Sequence, residues 1–190
     1  MMDLKKVEQG VRLILEGIGE NPDRTGIART PERVALSMAE LCRGLDPESR
    51  SPMTVMSEAD QNEMIIVKDI SFSSMCEHHL LPFLGRCDVV YLPADDRIAG
   101  LSAIVELVET LAARPTIQER LTTEIANTLM DELKAKGVMV VMEAEHMCLA
   151  MRGVKKRDSR IVTSAMRGYL KRPETRSEAL SLIGRSTRGR

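Results

Sequence analysis

Met64-Ile65-Ile66-Val67-Lys68-Asp69-Ile70-Ser71-Phe72-Ser73-Ser74-Met75-Cys76-Glu77-His78-His79 decides how this chain is read. Residues Met64 to Phe72 are rich in β-branched side chains and predict a strand. That strand runs into a group of residues able to do chemistry. The chain has only three histidines and four cysteines, and this stretch together with Glu145-His146-Met147-Cys148 holds every histidine and two of the cysteines. Such concentration points to one site. Cys76 and His79 are spaced C-x-x-H, close enough for a tight turn to aim both at one ion. His146 and Cys148 are two apart, so an extended strand would set both on one face. One Cys-His-Cys set gives three soft or borderline ligands suited to zinc and leaves a fourth position for water. An open position means catalysis, and the two histidines left over would supply acid and base groups near neutral pH. Taken singly, each of these residues fits a plainer reading as a small core thiol or a satisfied histidine. Taken together, that reading would bury many polar groups without a ligand, which is costly.

Outward from the site, Pro82 and Gly85 mark a connection and Cys87 to Leu92 reads as the returning strand. Two helices follow, from about Ser102 to Ala113 and from Thr116 to a stop at Gly137. The second carries Leu121, Ile125, Leu129 and Leu133 on one stripe, with Thr116 and Glu119 spaced as a capping box. Val138 to Ala144 is a strand that runs into His146 and Cys148. A further strand is expected near Arg160 to Met166 and a helix over Glu174 to Ile183. Toward the N-terminus, Leu4, Val7, Val11, Ile14, Leu15 and Ile18 form an amphipathic stripe ended by Gly17 and Gly19. Thr30 as N-cap with Pro31 at the first helical position opens a second helix striped by Val34, Met38 and Leu41. Asp46 to Asn62, with two prolines and little periodicity, reads as a linker. The expected organisation is an N-terminal helical extension and linker over 1–62 and a main α+β domain over 63–190, built as two strands, two helices and two strands.

Composition narrows the function classes. The chain has 190 residues, 43% of them hydrophobic, with 27 Lys plus Arg against 28 Asp plus Glu and a net charge of -1. That balance gives no global reason for a nucleic-acid or anionic-membrane partner. Eight basic residues and one acid, Asp158, lie between Arg152 and Arg172, a solvated face or the lining of an anion site. With aromatic residues at 2%, no stacking platform for nucleic acid is apparent. No charged-then-apolar leader follows Met1 and no apolar run approaches a membrane span, so the expectation is a cytoplasmic protein with reduced thiols. The tail Arg185 to Arg190 is expected to be disordered.

Several motifs, in order, carry a resemblance. Asn21-Pro22-Asp23-Arg24, Thr30-Pro31-Glu32-Arg33, Cys76-Glu77-His78-His79, Gly100-Leu101-Ser102, Gln118-Glu119-Arg120-Leu121, His146-Met147-Cys148, Arg152-Gly153 and Thr163-Ser164 closely resemble GTP cyclohydrolase I over nearly the whole chain. The resemblance implies conversion of GTP and water to 7,8-dihydroneopterin triphosphate and formate. It implies Cys76, His79 and Cys148 as ligands of Zn2+, which activates water for attack on C8 of guanine. His78 would protonate the ring nitrogen as the ring opens, and His146 would assist later proton transfers. Glu119 would hold the guanine edge with Gln118 beside it, Leu101 and Ser102 would lie near the ribose, and Arg33 and Arg152 would contact the triphosphate. From the residues alone Glu119 serves equally as the capping-box partner of Thr116; the resemblance favours guanine. Glu77 reads as structural, and Cys42 and Cys87 as core thiols. The resemblance also implies the tunnelling fold, with sheets of several subunits joined into a barrel, and a homodecamer of two rings of five.

One departure stands out. After Gly-Leu-Ser the family pattern has a lysine and, three residues on, an arginine that grip the triphosphate; here these are Ala103 and Glu106. In a helix, Glu106 is also an ordinary exposed position. Three readings follow: a GTP cyclohydrolase with a redistributed phosphate grip, the same ring opening on a less phosphorylated guanine nucleotide or related purine, or a noncatalytic zinc-binding paralogue.

Overall fold

The structure is a computed structural model that describes residues 2–50, 52–57 and 62–184. In chain order its elements are α1 (Leu4–Gly17), α2 (Thr30–Leu41), β1 (Val55–Ser57), β2 (Ile65–Cys76), β3 (Pro82–Leu92), β4 (Arg97–Ala99), α3 (Leu101–Ala112), β5 (Pro115–Thr116), α4 (Gln118–Leu133), β6 (Gly137–His146), α5 (Met147–Ala150), β7 (Ile161–Gly168) and α6 (Pro173–Gly184). Five strands form one sheet in the order β5-β2-β3-β6-β7, antiparallel except for the short parallel pairing of β5 with β2. The expected α+β order of strands and helices is present.

Alternation along the strands divides the sheet into two apolar faces. On one, Phe83, Cys87, Val89 and Tyr91 of β3 and Val138, Val140, Met142 and Ala144 of β6 meet Ile104, Leu107 and Val108 of α3 and Leu121, Ile125 and Leu129 of α4. On the other, Val90 and Met139 pack with Leu170 and Ala179, the latter on α6. β2 keeps its apolar residues on the α3/α4 side only by changing register partway along. Ile65 and Val67 face the core, then a bulge between Val67 and Ile70 shifts the alternation to Ile70, Phe72 and Cys76. Asp69 takes a positive φ of 56° there, and its N–H donates to Asp88 Oδ1 at 2.8 Å. The bulge thus determines which face Cys76 reaches.

Four expectations are corrected. Thr116 is no helix cap, because it pairs with Cys76 in the β5–β2 ladder and its hydroxyl donates to Ile117 O at 3.3 Å. α4 stops at Leu133 with Lys134 in the left-handed region, while Gly137 begins β6. Strand geometry ends at His146, so Cys148 sits in the short helix α5 and does not share a strand face with it. Of the expected linker, 52–57 is docked on the main body: β1 pairs with β4, and Met53 N–H donates to Glu132 Oε2 at 3.1 Å. Ser51, residues 58–61 and the tail 185–190 lie outside the described residues.

α1 and α2 pack on each other, and α1 buries no residue. Leu13, Ile14 and Ile18, on the predicted stripe or beside it, are 68%, 63% and 72% exposed. The turn between the helices is pinned by two ion pairs, Arg12–Asp23 at 2.9 Å and Arg24–Glu20 at 2.8 Å.

Candidate active site and metal centre

Cys76 closes β2, and the chain turns at once. His79 and Leu80 N–H groups both donate to Cys76 O, at 3.3 and 2.8 Å, and Cys76 N–H donates to Leu81 O at 2.8 Å. This turn brings the His79 ring back beside the Cys76 thiol, Nδ1 to Sγ 3.9 Å. Cys148 arrives from α5. One ligand atom each from Cys76, His79 and Cys148 lies within 4.8 Å of the other two. Burial and the neighbouring Cys76 thiol push the Cys148 thiol up from its ordinary value. Two thiols and one imidazole converging on one point fit a tetrahedral zinc-type centre: a divalent cation there would deprotonate the thiols outright and reverse that upward push. Among the described residues this is the one group of three or more such side chains close enough to hold a metal ion.

Around this centre the first turn of α4 supplies three consecutive residues with three different destinations. Gln118 is fully buried, and its Oε1 lies 2.8 Å from His146 Nε2. Glu119 is exposed, and its carboxylate pulls His146 up against the larger effect of burial, which holds that imidazole below its ordinary value. Arg120 forks onto Glu77 at 2.5 and 3.2 Å and holds its carboxyl below the usual carboxylate range. Glu77 Oε1 in turn lies 3.9 Å from Nε2 of the exposed His78. The His146 ring stacks on Phe83, centroids 4.6 Å apart and planes 4° apart. Arg152 Nη1 approaches His79 Nε2 at 2.6 Å.

The structure therefore brings together Cys76, His79, Cys148 and Arg152, and around them His78, His146, Gln118 and Glu119. It places Gln118 inside the protein, where its amide is bonded to Met142 O, Ile161 O, Thr163 and His146. Leu101 and Ser102 are exposed at the start of α3. Ser102 lines a cavity of about 340 Å³ with Arg43, Arg50, Ala103, Glu106, Glu109 and Glu132 in its wall. Arg33 is exposed on α2. Among the described residues no hydrogen bond or ion pair joins Arg33, Leu101 or Ser102 to the Cys76–His79–Cys148 group. Sequence reading gave no role to Phe83, Arg120 or Thr163; the last two stand in recognisable motifs, whereas nothing along the chain marks Phe83 as the partner of His146. The basic run is mostly exposed, with Arg160 near Glu145 at 3.8 Å and Arg172 over the Tyr169 ring at 4.2 Å.

A chain that sets two thiols and an imidazole around one point, with two further histidines beside them, has the makings of a metal-dependent hydrolytic enzyme. Residues 7–184 match the family model described as GTP cyclohydrolase I, and the chain belongs to that family. It is 50% identical over 184 residues to GTP cyclohydrolase 1 of Thermoanaerobacter pseudethanolicus, covering 96% of this chain and 98% of the relative. The protein of the same name from Carboxydothermus hydrogenoformans is 49% identical over 185 residues, 97% of this chain and 96% of the relative. That of Bifidobacterium longum is 49% identical over 181 residues, 95% and 91%. A solved structure, archaeosine synthase QueF-Like in the apo form, aligns over 58% of this chain and 97% of its own at a TM-score of 0.45 and 12% identity, too distant to carry an argument. No helix among the described residues is long and apolar enough to cross a membrane.

Proposed function

We propose that this chain opens the purine ring of GTP, using water to give 7,8-dihydroneopterin triphosphate and formate. The observation that carries the reading is the convergence of Cys76, His79 and Cys148 within 4.8 Å in a chain of this family. Those three residues hold Zn2+, which when bound supplies the Lewis acidity that activates water near neutral pH. His78, exposed on the turn between two ligands, delivers a proton to the ring nitrogen as the ring opens. His146 moves the later protons; burial holds its imidazole below its ordinary value, which favours the neutral form that can accept one. Glu119, freed from any capping role by the pairing of Thr116, takes the adjacent N–H groups of the guanine edge. Arg152 and Arg33 attract the triphosphate, and Leu101 and Ser102 border the ribose.

Assembly belongs to the same proposal. Among the described residues Ser102 and Arg33 make no hydrogen bond or ion pair with the metal group of their own chain, and Leu13, Ile14 and Ile18 at the end of α1 and the outer edge of β7 are uncovered. A homodecamer of two rings of five, its sheets joined in a tunnelling-fold barrel, would cover these surfaces and bring one subunit's α3 to another's metal centre. The helices of the N-terminal extension then serve as an assembly arm, while 52–57 of the extension is docked on the catalytic domain. Four free cysteines accord with a cytoplasmic setting.

A second reading, the same ring opening on a less phosphorylated guanine nucleotide, draws on the Ser102 cavity, whose wall carries Glu106, Glu109 and Glu132 against Arg43 and Arg50. Zinc-loaded protein incubated with GTP, GMP or guanosine separates the readings through formate release and pterin fluorescence after oxidation. GTP turnover is expected. Turnover of guanosine or GMP alone would favour the second reading, and none with any guanine compound would favour a noncatalytic zinc-binding paralogue.

A further inference from the structure

The amide of Gln118 has one orientation open to it. Its Nε2 lies 3.1 Å from Met142 O, 3.0 Å from Ile161 O and 3.0 Å from Thr163 Oγ1. Turning the amide over would press its oxygen against two carbonyl oxygens, so these surroundings assign nitrogen and oxygen. Oε1 therefore faces His146 Nε2 at 2.8 Å. An amide oxygen only accepts, so His146 Nε2 carries a hydrogen and donates it. A neutral imidazole has one N–H, which leaves the lone pair on Nδ1. Nδ1 has no hydrogen-bond partner among the described residues, and no buried side-chain nitrogen or oxygen lacks one, so Nδ1 is not sealed away.

The restraint is built from several elements. Met142 lies on β6, Ile161 and Thr163 on β7, and Thr122 of α4 bonds both Gln118 O at 2.7 Å and Thr163 Oγ1 at 2.6 Å. Phe83 of β3 fixes the plane of the ring by stacking. We infer that Gln118 is a positioning residue that holds His146 as the Nε2–H tautomer and leaves Nδ1 as the ring nitrogen open to a substrate. This rests on the proton-transfer role proposed for His146. A proton removed from an O–H or N–H of substrate or water enters the Nδ1 lone pair, giving an imidazolium whose Nε2–H stays on Gln118. The same proton leaves from Nδ1, and Gln118 never changes protonation.

With only three histidines in the chain, two-bond 1H–15N spectra of 15N-histidine-labelled, zinc-loaded protein resolve each ring, and His146→Asn identifies the signal of interest. The Nε2–H pattern is expected for His146. In Gln118→Met, which keeps the side chain's length and removes its acceptor, an Nδ1–H population should appear. In that variant kcat should fall roughly 10–100-fold while KM for GTP stays within about threefold. If Gln118→Met does not fold, Thr163→Val loosens one anchor of the amide and should shift the tautomer the same way by less. An Nδ1–H pattern in the unaltered protein, or a His146 spectrum unchanged in both Gln118→Met and Thr163→Val, overturns the inference, as does a shifted tautomer with unchanged kcat. Undiminished turnover by His146→Asn would instead overturn the proton role assigned to His146, leaving the tautomer result to stand on the spectra.

Discussion

Placing lysine at Ala103 and arginine at Glu106 should raise the preference for GTP over guanosine by about 100-fold, at 1.4 kcal/mol per tenfold. The Ser102 cavity has two cations in its wall, Arg43 and Arg50, and three acids, Glu106, Glu109 and Glu132, a balance of 2 − 3 = −1. Arg43 is 3.8 Å from Glu109 and Arg50 contacts Glu132, so both cations already face acids. Glu106 is the carboxylate of this wall without an ion-pair partner among the described residues. Ala103→Lys with Glu106→Arg adds three charge units. Because Glu106 is exposed, each unit contributes about 1 kcal/mol, well below the roughly 4 kcal/mol of a unit pair at 4 Å near a protein surface. Three units therefore give about 3 kcal/mol. Ala103 is 8% exposed but borders the cavity, which gives a lysine stem room to reach out. The assay is kcat/KM for GTP and for guanosine at low and high ionic strength. The ratio should rise in the double variant, rise about fivefold in Glu106→Gln alone, and lose much of its gain in salt. An unchanged ratio at low salt would mean that the phosphates do not lie against this wall.

Other outcomes can be checked directly. Cys148→Ser should lose bound zinc on dialysis and lose turnover with it; stoichiometric zinc retained by that variant would remove Cys148 from the ligand set. Leu129→Ala, at a fully buried position of α4, should cost about 2–5 kcal/mol in urea unfolding with little change in m. A Cβ at Gly85 would come within 2.0 Å of Glu143 O, so Gly85→Ala must part β3 from β6 and should show lost amide protection along that ladder. Arg24 holds the Glu20 carboxyl down at about 2 against an ordinary 4.5. Its contribution is fully present above the ordinary value and is lost as pH falls from there through about 2. Carboxyl NMR should show Glu20 titrating near the lower value, and higher in Arg24→Gln, where the Asn21 N–H still holds it below the ordinary one.

The metal group was legible because rarity is a sequence property: three histidines and two cysteines in two short stretches leave few other arrangements. The strands and helices of the main body were legible from periodicity. What stayed hidden depended on partners far along the chain. Thr116 matched a capping box, but the parallel pairing with Cys76 claimed its backbone first. Cys148 was placed on a strand because a four-residue helix is too short to carry a period. Gln118 was placed beside Glu119 at the guanine edge, and nothing along the chain announces the partners Met142, Ile161 and Thr163 that hold its amide. The α1 stripe was read correctly as amphipathic, but a stripe cannot say whether its cover belongs to the same chain.

The first turn of α4 has one further consequence. Gln118, Glu119 and Arg120 leave the helix about 100° apart, one toward His146, one into the open and one toward Glu77 and the Cys76–His79 turn. They are geared to a single axis. Changing any one side chain undoes one connection and leaves two. Inserting or deleting one residue between Pro115 and Gln118 would rotate all three at once and unset both non-ligand histidines together. The junction between β5 and α4 is therefore where the length of the chain matters more than its composition.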